Sequence, residues 1–130
     1  MSKIRRVAII GGNRIPFMRS NTAYSYASNM DMLSATLQGL VRRFDLEGER
    51  LGEVAAGAVM KHSRDFNLAR EATLNSGLAL ETPAYDIQQA CGTGLEAAIL
   101  VANKVALGQI DAGIAAGTDT ASDAPIALNE

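Results

Sequence analysis

Wound into a helix, residues 95–107 are apolar on nearly every side. Leu95, Ile99, Ala102 and Ala106 share one face, and Val101 and Val105 lie on another. Leu100 and Leu107 interrupt what would otherwise be a polar stripe of Glu96, Asn103 and Lys104. A helix apolar all round is buried all round, and one sheet covers only one side of it. The chain must therefore set this helix inside a layered structure, with a sheet beneath and something further above. The approach to the helix is as informative. Pro83-Ala84-Tyr85-Asp86-Ile87-Gln88-Gln89-Ala90 reads as a strand, and Cys91, the only cysteine, follows it before Gly92-Thr93-Gly94.

A thiol between a strand and a helix sits at the positive end of the helix dipole, among N–H groups that have no intrahelical partner. Reactive cysteines are found in such settings. The flanking glycines have no Cβ, so a substrate can approach the backbone closely. Cys91 is the candidate nucleophile, and the alternative is a small buried hydrophobe. Thr93 reads as a cap for the following helix, with a role in positioning the thiolate as the alternative.

The rest of the chain alternates strands and helices. Residues 6–11, Arg-Val-Ala-Ile-Ile-Gly, read as a short buried strand ending in a turn, and residues 13–29 as a long loop. Asp31 is the expected N-cap of a helix over residues 32–44, where Met32, Leu33, Leu37, Leu40, Val41 and Phe44 recur at helical spacing. A second buried strand is expected over residues 53–60. A loop carrying His62, Ser63, Arg64 and Asp65 follows, then a helix over residues 67–76 that Gly77 ends. Residues 112–117 supply a fourth strand. Such alternation predicts an α/β fold whose parallel sheet has right-handed crossovers.

Composition narrows the function classes. The 130 residues make one domain's worth of chain. A formal charge of −2 and a pI near 5.4 argue against a nucleic-acid partner held by electrostatics. A single cysteine allows no internal disulfide and suits a reducing cytosol. No apolar run reaches the roughly 18 residues that span a membrane, and residues 7–10 are too short for the core of a secretory signal. A soluble, cytoplasmic protein is expected. Asp111, Asp119 and Asp123 match no metal-ligand spacing, and turn chemistry accounts for them better. Gly11-Gly12 is not followed by the pattern of a dinucleotide-binding turn.

Five stretches, in order and at suitable spacing, resemble the N-terminal half of a thiolase. Asn13-Arg14-Ile15-Pro16-Phe17 is similar to the Arg-Thr-Pro-Phe that follows that family's first strand. Gly57-Ala58-Val59 with Asn67-Leu68-Ala69-Arg70 resembles Gly-x-Val and Asn-x-Ala-Arg, and Gly77-Leu78 with Pro83-Ala84 resembles the approach to its active strand. Cys91-Gly92-Thr93-Gly94-Leu95-Glu96-Ala97 resembles Cys-x-Ser-Gly-Leu-x-Ala around the acyl-accepting cysteine. Gly108-Gln109-Ile110-Asp111 with Ile114-Ala115-Ala116-Gly117 resembles the strand beyond it. Gln88, where the family often has Asn, and residues 116–122 depart from the commonest pattern toward variants of the fatty-acid oxidation branch.

The resemblance implies a layered, thiolase-like βαβαβαβ fold truncated within its N-terminal half, with residues 1–130 as one partial domain. It implies acyl transfer between a 3-ketoacyl-CoA and coenzyme A through an acyl group on Cys91, with no metal and no bound cofactor, and with coenzyme A as co-substrate. It further implies a homo-oligomer or a complex with the α subunit of a multifunctional β-oxidation assembly, with residues 67–70 and the strand before Cys91 near a dimer interface. The family's activating His, its second Cys and its CoA-binding loops lie outside this chain. His62 is expected to be a surface or interface residue. Without the second half, Ile99, Leu100, Val101, Val105 and Leu107 are expected to face water in part, so the isolated chain is expected to be an unstable, inactive piece of a longer enzyme. The rival readings are a β-ketoacyl synthase, with a similar Ala-Cys-x-Thr-Gly, and a non-catalytic subunit that needs a partner chain.

Overall fold

Ser28 opens the first helix. Its hydroxyl accepts the Asp31 N–H at 3.1 Å while the Asp31 carboxylate accepts the Ser28 N–H at 2.9 Å, a reciprocal capping box. In the computed structural model, which describes residues 4–126 and 128, α1 accordingly spans Asn29–Arg43. The helix starts ahead of the expected Met32, and Asp31 is its third residue rather than its cap. The remaining elements are β1 (Glu53–Ala56), α2 (Leu68–Leu74), β2 (Ala84–Asp86), α3 (Thr93–Ala106) and β3 (Gly113–Ala115). Single 3-10 turns occupy Ser63–Asp65 and Ala121–Asp123.

The three strands form a parallel sheet in the order β2-β1-β3. Val54 lies opposite Ala84 and Ile114, and Ala55 opposite Tyr85 and Ala115. The chain steps outward from β1 to β2, then back past β1 to β3. Because the two crossovers run in opposite directions, a single handedness puts α2 and α3 on opposite faces. Side chains of β1 alternate between those faces. Val54 and Ala56 join Leu33, Leu37 and Val41 of α1 and Leu68, Ala69 and Ala72 of α2 in the main core. Ala55 packs instead with Ala97 and Val101 of α3.

Glu53 is the polar member of this buried strand. Its carboxylate takes a hydrogen bond from Lys104 and lies 3.3 Å from the Tyr85 hydroxyl. Burial first, and then the Glu53 charge, push the Tyr85 phenol up, and the bond to Glu53 raises the Lys104 ammonium.

The expected first strand is not formed. Residues 6–11 belong to no strand, and Ile9 and Ile10 are 93% and 84% exposed. A strand needs a neighbour to satisfy its backbone, and this stretch stands off from the sheet across a space of about 1330 Å³ bordered by α1, α3 and β3. Its tether is Arg5, whose N–H bonds the Ala106 carbonyl at 2.9 Å and whose guanidinium meets Asp111 at 2.6 Å. The other strands are shorter than their apolar runs, and α3 begins at Thr93, two residues earlier than expected.

On α3 Leu107 and Ile99 are uncovered as expected, 63% and 44% exposed, and Leu95, which was not among the expected residues, is 69% exposed. Leu100 and Val105 are half-buried. Val101 corrects the expectation, because it is buried against the sheet beside Gly113.

Candidate active site

All three strands point their C-terminal ends at one spot. The chain leaves β1 through Gly57, β2 through the turn that carries Cys91, and β3 through Gly117, Thr118 and Asp119. These residues, with Ala90, Thr93 and Gly94, line a pocket of about 360 Å³. In open parallel sheets, ligands bind outside the carboxyl ends of the strands, where the strand order reverses. Here the reversal falls between β1 and β3. Cys91 is exposed, which excludes the buried-hydrophobe reading.

The turn that presents Cys91 is unusual. Ala90 has φ of 45°, a left-handed conformation that costs a residue with a Cβ roughly 1–2 kcal/mol. The Thr93 hydroxyl accepts the Gln89 N–H at 2.8 Å and donates to the Ala90 carbonyl at 2.7 Å. Two such bonds contribute about 0.5–1.5 kcal/mol each, enough to offset that strain. Thr93 is therefore not the helix cap that its position implied. The capping position is Gly92, without a side-chain cap, and the Thr93 hydroxyl points back into the turn.

Glycines let the walls close. A Cβ on Gly57 would lie 1.8 Å from the Ile87 carbonyl oxygen and 2.9 Å from Cγ2 of Thr93. At the third wall, one on Gly117 would lie 3.4 Å from Cα of Gly94. The Thr118 N–H bonds the Gly57 carbonyl at 3.0 Å. Asp119 completes that wall by accepting the Val59 and Met60 N–H groups at 3.0 and 2.9 Å. Both of its oxygens are thus committed to the backbone beyond β1.

The remaining polar candidates lie elsewhere. His62 Nε2 is 2.6 Å from the Asp123 carbonyl oxygen, and Arg64 pairs with the Asp123 carboxylate. His62 thus ties two loops together and takes no part in lining the Cys91 pocket. Arg70 donates to the carbonyls of Thr82 and Leu80 at 2.7 and 2.8 Å, clamping the loop before β2. Asp86 accepts the Ala69 N–H at 2.7 Å and so caps α2 from a neighbouring strand, while pairing with Lys61 at 2.7 Å.

The profile of the family described as "Thiolase, N-terminal domain" matches residues 7–130. The chain belongs to the thiolase family. It is 34% identical over 125 residues to a 3-ketoacyl-CoA thiolase of Vibrio cholerae serotype O1, covering 96% of this chain and 29% of that protein. A 3-ketoacyl-CoA thiolase of a Shewanella species (strain ANA-3) is 33% identical over 129 residues, covering 99% of this chain and 30% of the relative. Among solved structures, an acetyl-CoA acetyltransferase of Bacillus anthracis superposes with a TM-score of 0.79 at 26% identity, over 92% of this chain and 29% of that one. The thiolase chain thus spans about three tenths of the length of the relatives it matches.

Within this thiolase chain, the position of Cys91 between a strand and a helix was legible from the sequence. The sequence reading assigned no site role to Gly57, Gly117, Thr118 or Asp119. Their signal is faint but physical: each lies just past the end of an apolar strand, where the carboxyl edge of a parallel sheet must be. The pocket sets the Cys91 sulfur beside glycine backbone and the first turn of a helix. Such a turn carries N–H groups able to stabilise an oxyanion.

Proposed function

We propose that this chain supplies the nucleophile of a thiolase acyl transfer between a 3-ketoacyl-CoA and coenzyme A. The Cys91 sulfur, as thiolate, bonds the 3-keto carbon of the substrate. The bond between C2 and C3 then breaks, its electron pair leaves with the enolate of acetyl-CoA, and that enolate takes a proton. The acyl group left on Cys91 passes to the thiol of a second coenzyme A, which restores the thiolate. Covalent catalysis divides one difficult displacement into two easier ones. The observation that carries this reading is the exposed Cys91 in a glycine-walled pocket at the carboxyl ends of all three strands.

The reaction also needs a base for the thiol and an acid for the enolate. This chain has no second cysteine, and its one histidine binds Asp123 instead of lining the pocket. We therefore assign turnover to an assembly of this chain with polypeptide equivalent to the remainder of its relatives, and expect none from the 130 residues alone. The uncovered side of α3 supports that need for a partner. Degradation of fatty acids in the cytoplasm, within a homo-oligomer or a complex with a β-oxidation α subunit, is the setting that fits the 3-ketoacyl-CoA thiolase relatives.

The test is complementation. The chain is co-expressed with the part of the Vibrio cholerae relative that lies beyond the matched region, and cleavage of acetoacetyl-CoA by coenzyme A is followed. Turnover by the complex, none by either piece, and its loss on Cys91→Ala are expected. Turnover that survives Cys91→Ala, or an assembled complex that is silent, sinks the reading.

A further inference from the structure

We propose that Thr93 is the positioning residue of the nucleophile. On this reading its hydroxyl holds the peptides before Cys91 in a left-handed turn that presents the sulfur to the pocket, a role that rests on the acyl-transfer function above. Three observations converge on it. The side chain is buried, with only 5% of the residue exposed, and both functions of the hydroxyl are spent on one turn, accepting from Gln89 and donating to Ala90. That turn contains a non-glycine residue at φ 45°, a conformation that persists only where its surroundings impose it. The Thr93 methyl sits against Gly57, 2.9 Å from where a Cβ there would be, so the same side chain ties the Cys91 turn to the opposite pocket wall.

A cap would serve the N–H groups of its own helix. Thr93 serves the two residues before the nucleophile instead. Its hydroxyl fixes the N–H on one side of Ala90 and the carbonyl on the other, and the sulfur follows as a rigid consequence. Without those bonds Ala90 relaxes to an ordinary negative φ, and Cys91 leaves its place in the pocket lining.

The experiment compares Thr93→Ser, Thr93→Val and the pair Thr93→Val with Ala90→Gly in the complemented protein. Thr93→Val keeps the shape and removes both bonds, and is expected to lower kcat at least tenfold with KM within about threefold of its starting value. Thr93→Ser keeps both bonds and is expected to retain at least a third of kcat. Glycine adopts φ near 45° without strain, so Ala90→Gly is expected to recover much of the kcat lost in Thr93→Val. A structural role for Thr93 outside the Ala90 turn would not produce that recovery. An undiminished kcat in Thr93→Val, an equal loss in Thr93→Ser, or no recovery with Ala90→Gly overturns the proposal. A silent complex with the native chain refutes the function rather than the role of Thr93. The role is then read from the iodoacetamide alkylation rate of the lone cysteine in the 130-residue chain, by intact mass. A threefold departure in Thr93→Val but not in Thr93→Ser supports it, and equal rates in all three overturn it.

Discussion

Gly57→Ala is the sharpest probe of how the pocket closes. The new Cβ would meet the Ile87 carbonyl oxygen at 1.8 Å, whereas a carbon and a carbonyl oxygen ordinarily stay about 3.3 Å or more apart. One strand end must therefore move by roughly 1.5 Å. Neither is free to do so: the Ile87 N–H bonds the Ala56 carbonyl at 3.0 Å, and the Thr118 N–H bonds the Gly57 carbonyl at 3.0 Å. Overpacking costs about 1–3 kcal/mol, and each backbone bond broken in relieving it costs about 0.5–1.5 kcal/mol more. The sum, about 2–5 kcal/mol, is a large part of a domain's net stability of about 5–15 kcal/mol. At a few degrees per kcal/mol, Tm should fall by about 10 °C, read by circular dichroism on the chain or on its complemented form. Gly117→Ala, with its nearest contact at 3.4 Å, should cost far less, and Gly12→Ala, with nothing within 4 Å, should be silent. A Gly57→Ala protein melting within about 2 °C of its parent would refute the steric argument.

Three further outcomes are expected. The Ser28 backbone and hydroxyl bonds hold the Asp31 carboxyl below its ordinary value. A depressed folded-state pKa adds stability above the unfolded value of about 3.9 that is lost as pH falls through the folded one. The stability difference between the native chain and Asp31→Asn should therefore narrow below about pH 4 in urea titrations. Lys104→Met strands the buried Glu53 carboxylate with only the Tyr85 hydroxyl, and should cost about 1–3 kcal/mol; adding Glu53→Gln should recover part of it, and additive losses would contradict the pairing. Leu95→Lys with Ile99→Lys should raise the solubility of the isolated chain without lowering its Tm, yet prevent complementation, as pull-down of the partner polypeptide would reveal.

The sequence made the alternation of elements, the face pattern of α1 and the place of Cys91 readable, because each rests on periodicity or on adjacency along the chain. The start of α1 was misplaced because Asp31 and Ser28 are both good caps, and only the reciprocal bond between them decides which one serves. Residues 6–11 read as a buried strand because their apolarity is intrinsic, whereas burial depends on a neighbour that the run itself does not specify. Thr93 was misjudged for a similar reason: its hydroxyl had two turns within reach, and the left-handed Ala90 that selects between them has no signature in an alanine. The pocket wall of Gly57 and residues 117–119 joins positions about sixty residues apart, which no local pattern encodes.

The central strand β1 is made first, and both of its neighbours arrive later along the chain. Its ladder to β2 closes a loop of about thirty residues and its ladder to β3 one of about sixty, and contacts of such long range slow folding. Until β3 docks, Ala55 and Val54 have an open edge, and the Cys91 turn has only two of its three walls. The Cys91 sulfur therefore has all three walls only once β3 has joined the sheet. In a nascent or misassembled chain the same thiol stands beside two walls instead of three, so its labelling kinetics should report on the completion of the sheet.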